Sequence, residues 1–292
     1  MRNFLFQYIE KNMSSNKKLF FLTGDTGFNL VEGIFNKYPK RSLNVGVAEQ
    51  NLVGIASGLS SDGFIPIVYA ITNFIVHRSF EQTRNDLCLH KRRCIMIGTS
   101  TGYDNSTLGP THHIVDDIGS LKNFPNLTIY SPVSRNSAIK AFKKASSYMG
   151  PSFIRLTKED FVIKKENKNI DFFYQKKNKD KIILTHGRMA KYCSQAIENK
   201  NISLFCFNKV HPLDIKVLRD IFKNYKNITV VEDNFKSGLY NSICQLANEL
   251  KYKHTIRSIN SEFEFVDKVG SQLYFDKKYH LLPGQIIKKM NT

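Results

Sequence analysis

Residues 45–59, Val-Gly-Val-Ala-Glu-Gln-Asn-Leu-Val-Gly-Ile-Ala-Ser-Gly-Leu, constrain the fold of this chain more than any other stretch. Glu49 is the only charge in it, placed where an apolar strand passes into a helix. Enclosing a carboxylate among Val45, Val47, Leu52 and Val53 costs several kcal/mol unless a partner offsets the loss of water. Two readings satisfy that condition. Glu49 is either a first-turn acid favoured by the helix dipole, or a carboxylate reserved for a protonated heteroaromatic nitrogen. The small residues Gly54, Ala56, Ser57 and Gly58 predict close packing of the helix that follows.

Around this segment, short apolar runs alternate with helical patterns. An amphipathic helix opens the chain, and strands are predicted at Leu19–Thr23, Leu43–Val47, Ile65–Tyr69, Cys94–Gly98, Leu127–Ser131 and Ser152–Leu156. Helices are predicted over Glu49–Leu59, Asn73–His90 and Arg135–Tyr148. Uninterrupted apolar strands separated by helices indicate a parallel sheet covered on both faces. Polar, charged residues follow, and the alternation then restarts. Strands are predicted at Ile182–Thr185, Ser203–Asn208 and Ile228–Glu232, with helices at Ala190–Glu198, Ile215–Phe222 and Ser237–Leu250. The chain reads as two successive parallel-sheet α/β domains, 1–165 and 181–292, joined by a linker at 166–180. Its 292 residues suffice for both cores.

The charge of +18 raises the question of nucleic acid. Its distribution argues against that, because the lysines are dispersed and their densest run, from Lys164 to Lys181, falls across the linker. No apolar run approaches the about 18 residues needed to cross a bilayer, and the opening segment lacks the form of a signal peptide. The five cysteines, Cys88, Cys94, Cys193, Cys206 and Cys244, form no C-x-x-C pair, which suits buried thiols in a reducing cytoplasm.

Several segments, in order, resemble the thiamine diphosphate-dependent transketolase family over nearly the whole chain. They are Arg2, Thr23-Gly-Asp-Thr26, the Glu49 segment, Ala70-Ile-Thr-Asn-Phe74 leading into Arg78-Ser-Phe-Glu-Gln-Thr-Arg-Asn85, Gly109-Pro-Thr-His-His113, and Ser131-Pro132. The resemblance implies a pyrimidine-binding domain followed by a transketolase C-terminal-like domain. It implies that Glu49 hydrogen-bonds the aminopyrimidine ring and activates the cofactor, that His112 contacts substrate beside the thiazolium, and that Asp25, Val47, Phe74 and Arg78 hold the cofactor. A one-residue slip would put Ile75 in the stacking place of Phe74, and Arg78 reads equally as a helix cap. Arg2, Ser100 and Lys158 fall at substrate positions, whereas His186 and His211 read as structural.

The chain also departs from the pattern. The Gly-Asp-Gly motif with downstream asparagine that holds Mg²⁺ and diphosphate does not occur, so the resemblance points to the small subunit of a split transketolase whose large subunit supplies that site. Where the family carries an aspartate and a histidine toward the sugar, this chain has Leu108 and Ser100. Lys158 replaces a phosphate-binding arginine, and the two cations are not equivalent as bidentate donors. The expected activity is two-carbon ketol transfer between sugar phosphates, in a cytoplasmic hetero-tetramer containing two copies of this chain. A deoxyxylulose-phosphate-synthase-like activity, an α-keto acid decarboxylating activity, and a non-catalytic stabilising partner are the alternatives.

Overall fold

The structure, a computed structural model, describes residues 1–159, 172–176 and 180–291. Two sheets carry the chain. The first is built from β1 (Leu19–Thr23), β2 (Ser42–Asn44), β3 (Ile65–Ile71), β4 (Cys94–Thr99), β5 (Thr128–Tyr130) and β6 (Pro151–Leu156). The second contains β7 (Phe172–Gln175), β8 (Lys181–His186), β9 (Ser203–Phe207), β11 (Asn227–Val231) and β12 (Ile256–Ile259), while β10 (Lys209–His211) returns to the first sheet. The orders are β10-β5-β6-β4-β3-β1-β2 and β12-β11-β8-β9-β7.

All pairings are parallel except β10 on β5 and β7 on β9. The central strands β4 and β6 are buried along their whole length, as strands covered on both faces must be. Both antiparallel exceptions, β10 and β7, are edge strands.

The segment expected as linker therefore contributes β7, and the remainder of 160–179 apart from 172–176 lies outside the described residues, along with most of the dense lysine run. The predicted helix Asn73–His90 is interrupted. An α-helical segment, Thr72–His77, gives way to a π-type turn over Thr83–Leu89. The predicted strand Leu43–Val47 stops at Asn44, because the backbone turns at Gly46 (φ 75°) to aim the next helix. The expected close packing on Gly54 and Gly58 is also corrected. A Cβ at either position would meet nothing within 4 Å. The inward face of helix Glu49–Ser61 is made instead by Leu52, Val53 and Ala56, whose 3.6-residue spacing leaves the glycines pointing outward.

The two halves meet across a buried ionic network. Arg155 donates to Asp117 at 2.7 Å, to Asp233 at 3.1 Å and to the Ile114 carbonyl at 3.3 Å. Arg188 donates to Asp233 at 2.7 Å and forks onto Asp276 at 3.0 and 2.6 Å. Asn234 adds a 2.8 Å bond to Asp117. Every charged side chain here is at most 1% exposed. Beside it, the Ser131 hydroxyl lies 2.9 Å from His186 Nδ1, with Glu232 3.5 Å from the other ring nitrogen. His186 is thus an interior residue joining the halves.

Candidate active site

The carboxyl ends of β1, β2, β3 and β4 converge on one edge of the first sheet, the position at which open α/β sheets bind ligands. After β1 the chain turns through Gly24 and Asp25, the latter at φ 54°. Asn44, the last residue of β2, holds this turn: its side chain donates to Asp25 Oδ1 at 3.0 Å and accepts from the Asp25 amide at 2.9 Å and the Gly46 amide at 3.0 Å. Leaving β2, the chain enters helix Glu49–Ser61 on Glu49 itself. The Glu49 side chain is only 3% exposed.

Arg78 Nη1 donates to Glu49 Oε2 at 2.9 Å, and among the described residues no hydrogen bond to Oε1 is found. The same guanidinium stands 4.2 Å over the ring of Phe74. Phe74 in turn meets the His112 ring edge-on, with centroids 5.1 Å apart. Ile75 is 1% exposed and belongs to the core, so Phe74 is the aromatic residue facing this cluster. One helical turn thus delivers two functions: Phe74 and Arg78, four apart, share a face.

His112 ends a short turn, Pro110–His112, that follows Gly109 (φ 87°). Its Nδ1 lies 2.9 Å from the Thr111 hydroxyl, and Asn73 donates to the Thr111 carbonyl, tying the loop to helix Thr72–His77. Burial lowers the His112 pKa, and the charges of Lys158 and Arg78 lower it further. His112 is therefore a neutral imidazole at pH 7, able to donate from one nitrogen and accept at the other.

The remaining predicted residues divide. Arg2 and Lys158 line one cavity of about 350 Å³, together with Arg135, Phe4 and Gln7. Ser100 does not join them. Its backbone adopts φ 71° and its side chain is fully buried, accepting a 2.7 Å bond from Asn105. Asn105 in turn accepts from the Lys158 ammonium, so Ser100 acts on the cavity through two other side chains. Val47 is 67% exposed and Leu108 61%. His211, half-buried on β10, has its pKa lowered by burial and then by Lys122 and Lys209; it stands on the opposite sheet edge from β2. Sequence reasoning missed Asn44, Asn105 and Arg135, whose signals lie only in which strand ends the fold brings together.

The family described as "Transketolase, pyrimidine binding domain" matches residues 1–162. The chain is 28% identical over 226 residues to one of the subunits of the apulose-4-phosphate transketolase of Actinobacillus succinogenes, covering 73% of this chain and 72% of that protein. It is 30% identical over 255 residues to the 1-deoxy-D-xylulose-5-phosphate synthase of Dictyoglomus turgidum, covering 82% of this chain but 40% of that protein. Among solved structures it resembles a split-gene transketolase described as an inactive beta4 tetramer, with a TM-score of 0.84, 24% identity, and 99% and 96% of the two chains covered. The transketolase from Leishmania mexicana matches with a TM-score of 0.83 and 16% identity, over 99% of this chain and 44% of that one.

Proposed function

This chain belongs to the transketolase family, and from that premise we propose that it is the small subunit of a split transketolase-like enzyme catalysing two-carbon ketol transfer between sugar phosphates. Thiamine diphosphate, when bound, supplies the acidic thiazolium carbon to which the two-carbon unit attaches. One observation carries the reading. A planar cation, the Arg78 guanidinium, bonds Glu49 and covers Phe74 at once, which are the two contacts an aminopyrimidine ring needs. Arg78, expected to hold the cofactor, in this reading stands in for the ring and gives way to it: its side chain is 47% exposed and has solvent to swing into, and Glu49 Oε1 faces no competing donor among the described residues. The site fits the ring.

In this reading Glu49 holds a proton at the ring nitrogen, and its burial strengthens that charge-assisted bond. Phe74 stacks on the ring. Asp25, fixed by Asn44, orients the cofactor from the β1 end, and the exposed Val47 contributes from the strand-to-helix turn. Neutral His112 hydrogen-bonds substrate oxygen, and Arg2 and Lys158 hold the anionic end. Mg²⁺ and the diphosphate belong to a large subunit, with two copies of each chain in a cytoplasmic hetero-tetramer. Among the described residues no helix is long and apolar enough to cross a membrane.

A deoxyxylulose-phosphate-synthase-like activity is the second reading, favoured by the relatives of that name, of which the chain spans about two fifths. Co-expression with the large subunit and assay of donor cleavage tests both. Ketose phosphate as productive donor supports the first reading, and pyruvate with glyceraldehyde phosphate the second. Glu49→Gln should leave assembly intact and slow turnover by about 100-fold or more. Wild-type turnover in that variant removes Glu49 from the mechanism.

A further inference from the structure

Asn73, Phe74, Thr111 and His112 close a circuit of contacts. Asn73 and Phe74 are neighbours on helix Thr72–His77, and Thr111 and His112 are neighbours on the turn opposite. The Asn73 amide donates to the Thr111 carbonyl, and the Phe74 and His112 rings meet with centroids 5.1 Å apart. The Thr111 hydroxyl, 2.9 Å from His112 Nδ1, orients that ring. The two sides of the circuit differ in rigidity. The helix is fixed, because the Thr72 hydroxyl donates to the Thr99 carbonyl of β4 at 3.0 Å and Ile75 and Val76 are buried. The loop is closed at its base by the antiparallel bridge of Gly102 with Ile114, and Ser106 ties its first turn to the Gly270 carbonyl at 2.7 Å. Its tip borders a cavity of about 420 Å³ lined in part by Pro110, Thr111 and His113. Packing against open space gives little resistance to a shift of His112. The bond from His112 N–H to the Gly109 carbonyl holds the shape of the tip but not its position. Among the described residues, the Asn73 amide makes the only hydrogen bond from the helix to the tip.

We propose that Asn73 is a positioning residue, holding the Thr111 carbonyl so that His112 keeps its place against Phe74. The inference rests on the ketol-transfer reading for what His112 and Phe74 do, though not for the circuit itself. In that reading Phe74 lies against the cofactor ring and His112 bonds substrate oxygen, so the circuit fixes the span between them. A misplacement of about 1 Å at such a group can cost about 100-fold in rate. His77 provides an internal comparison. It shares a helix face with Asn73 and pairs with Asp116 at 3.2 Å, but Asp116 follows the Gly102–Ile114 bridge and lies outside the tip.

Titration of His112 in the full chain reads the tie without partner, cofactor or turnover. The ring is followed by nuclear magnetic resonance with histidine-selective labelling, and assigned by the signal that disappears in His112→Gln. In the wild type it should titrate below the ordinary histidine value of about 6.5, as burial and the nearby cations dictate. Asn73→Ala should return the midpoint toward that value and remove the nuclear Overhauser contact between the His112 and Phe74 rings. Asn73→Gln, which keeps an amide donor, should lie between. His77→Gln should match the wild type in both readouts, and circular dichroism verifies that each variant is folded. In the assembled enzyme, Asn73→Ala should lower kcat by about tenfold or more while the affinity for thiamine diphosphate is nearly kept. An unchanged His112 midpoint and ring contact in Asn73→Ala, the same changes in His77→Gln, or a freed ring with wild-type kcat each overturns the proposal. A wild-type assembly without ketol transfer, alongside a ring freed by Asn73→Ala, overturns the functional reading and upholds the tie.

Discussion

Replacing Arg155 with methionine, which keeps much of the volume, deletes the centre of the ionic network between the halves. Asp117 would retain Asn234 and Asp233 would retain Arg188, so neither carboxylate is left wholly without a donor. Each nevertheless loses a charged partner at zero exposure. Breaking a buried pair in this way costs about 3–5 kcal/mol.

The loss should depend on pH with a definite sign. Burial pushes the Asp233 pKa up, but Arg155 and then Arg188 more than reverse this and hold it well below the usual carboxylate range. A depressed carboxyl pKa contributes stability that is full above the unfolded value, about 3.9, and is lost as pH falls through the folded value. Without Arg155 the Asp233 carboxyl protonates at higher pH, which relieves its penalty in the variant. The stability gap should therefore be widest at pH 7 and narrow below about pH 5. The chain has no tryptophan, so urea unfolding is best followed by circular dichroism, at pH 7 and again near pH 4.5. A loss under about 1 kcal/mol at pH 7, or a gap independent of pH, would refute the reading of this network as a stabilising buried tie between the halves.

Two further outcomes are expected. Gly102 has φ 53°, and a Cβ there would lie 2.6 Å from Asp233 Oδ2, which Arg188 already fixes. Gly102→Ala should cost about 1–2 kcal/mol of backbone strain alone and shift the loop leading to His112, so that both urea midpoint and turnover fall; retention of both would show that the loop yields freely. The isolated chain should show no tight, Mg²⁺-dependent binding of thiamine diphosphate by calorimetry, since the diphosphate motif is missing from its sequence. Micromolar affinity for the cofactor without a partner would contradict the split of the site between chains.

The central strands were legible because strands buried on both faces are continuous apolar runs, and their predicted bounds differ from the observed ones by a few residues at most. The edge strands were not. β10 is Lys-Val-His, a composition with no strand signature, and only its place beside β5 orders it. β7 was concealed by the polar residues around it. At the site, Glu49, Phe74, Arg78 and His112 were readable because one motif carries each of them, and the structure brings all four together. Ser100 shows the limit of position without backbone: its place suggested a substrate contact, and a left-handed φ turns the hydroxyl inward. Asn44 and Asn105 act on residues from other strands or loops, a relation that periodicity does not encode.

The return of β10 to the first sheet has a consequence for dissection of the chain. A fragment ending near residue 159 would carry six strands of that sheet but leave β5 as an open edge, with unpaired backbone donors and acceptors available to any other strand. It would also lose Asp233, the one partner of Arg155 contributed by the second half. Such a fragment should self-associate, and adding the complementary piece in trans should suppress that association by supplying the missing strand. The two halves therefore behave as an interlocked pair, in which the later one finishes the architecture of the earlier.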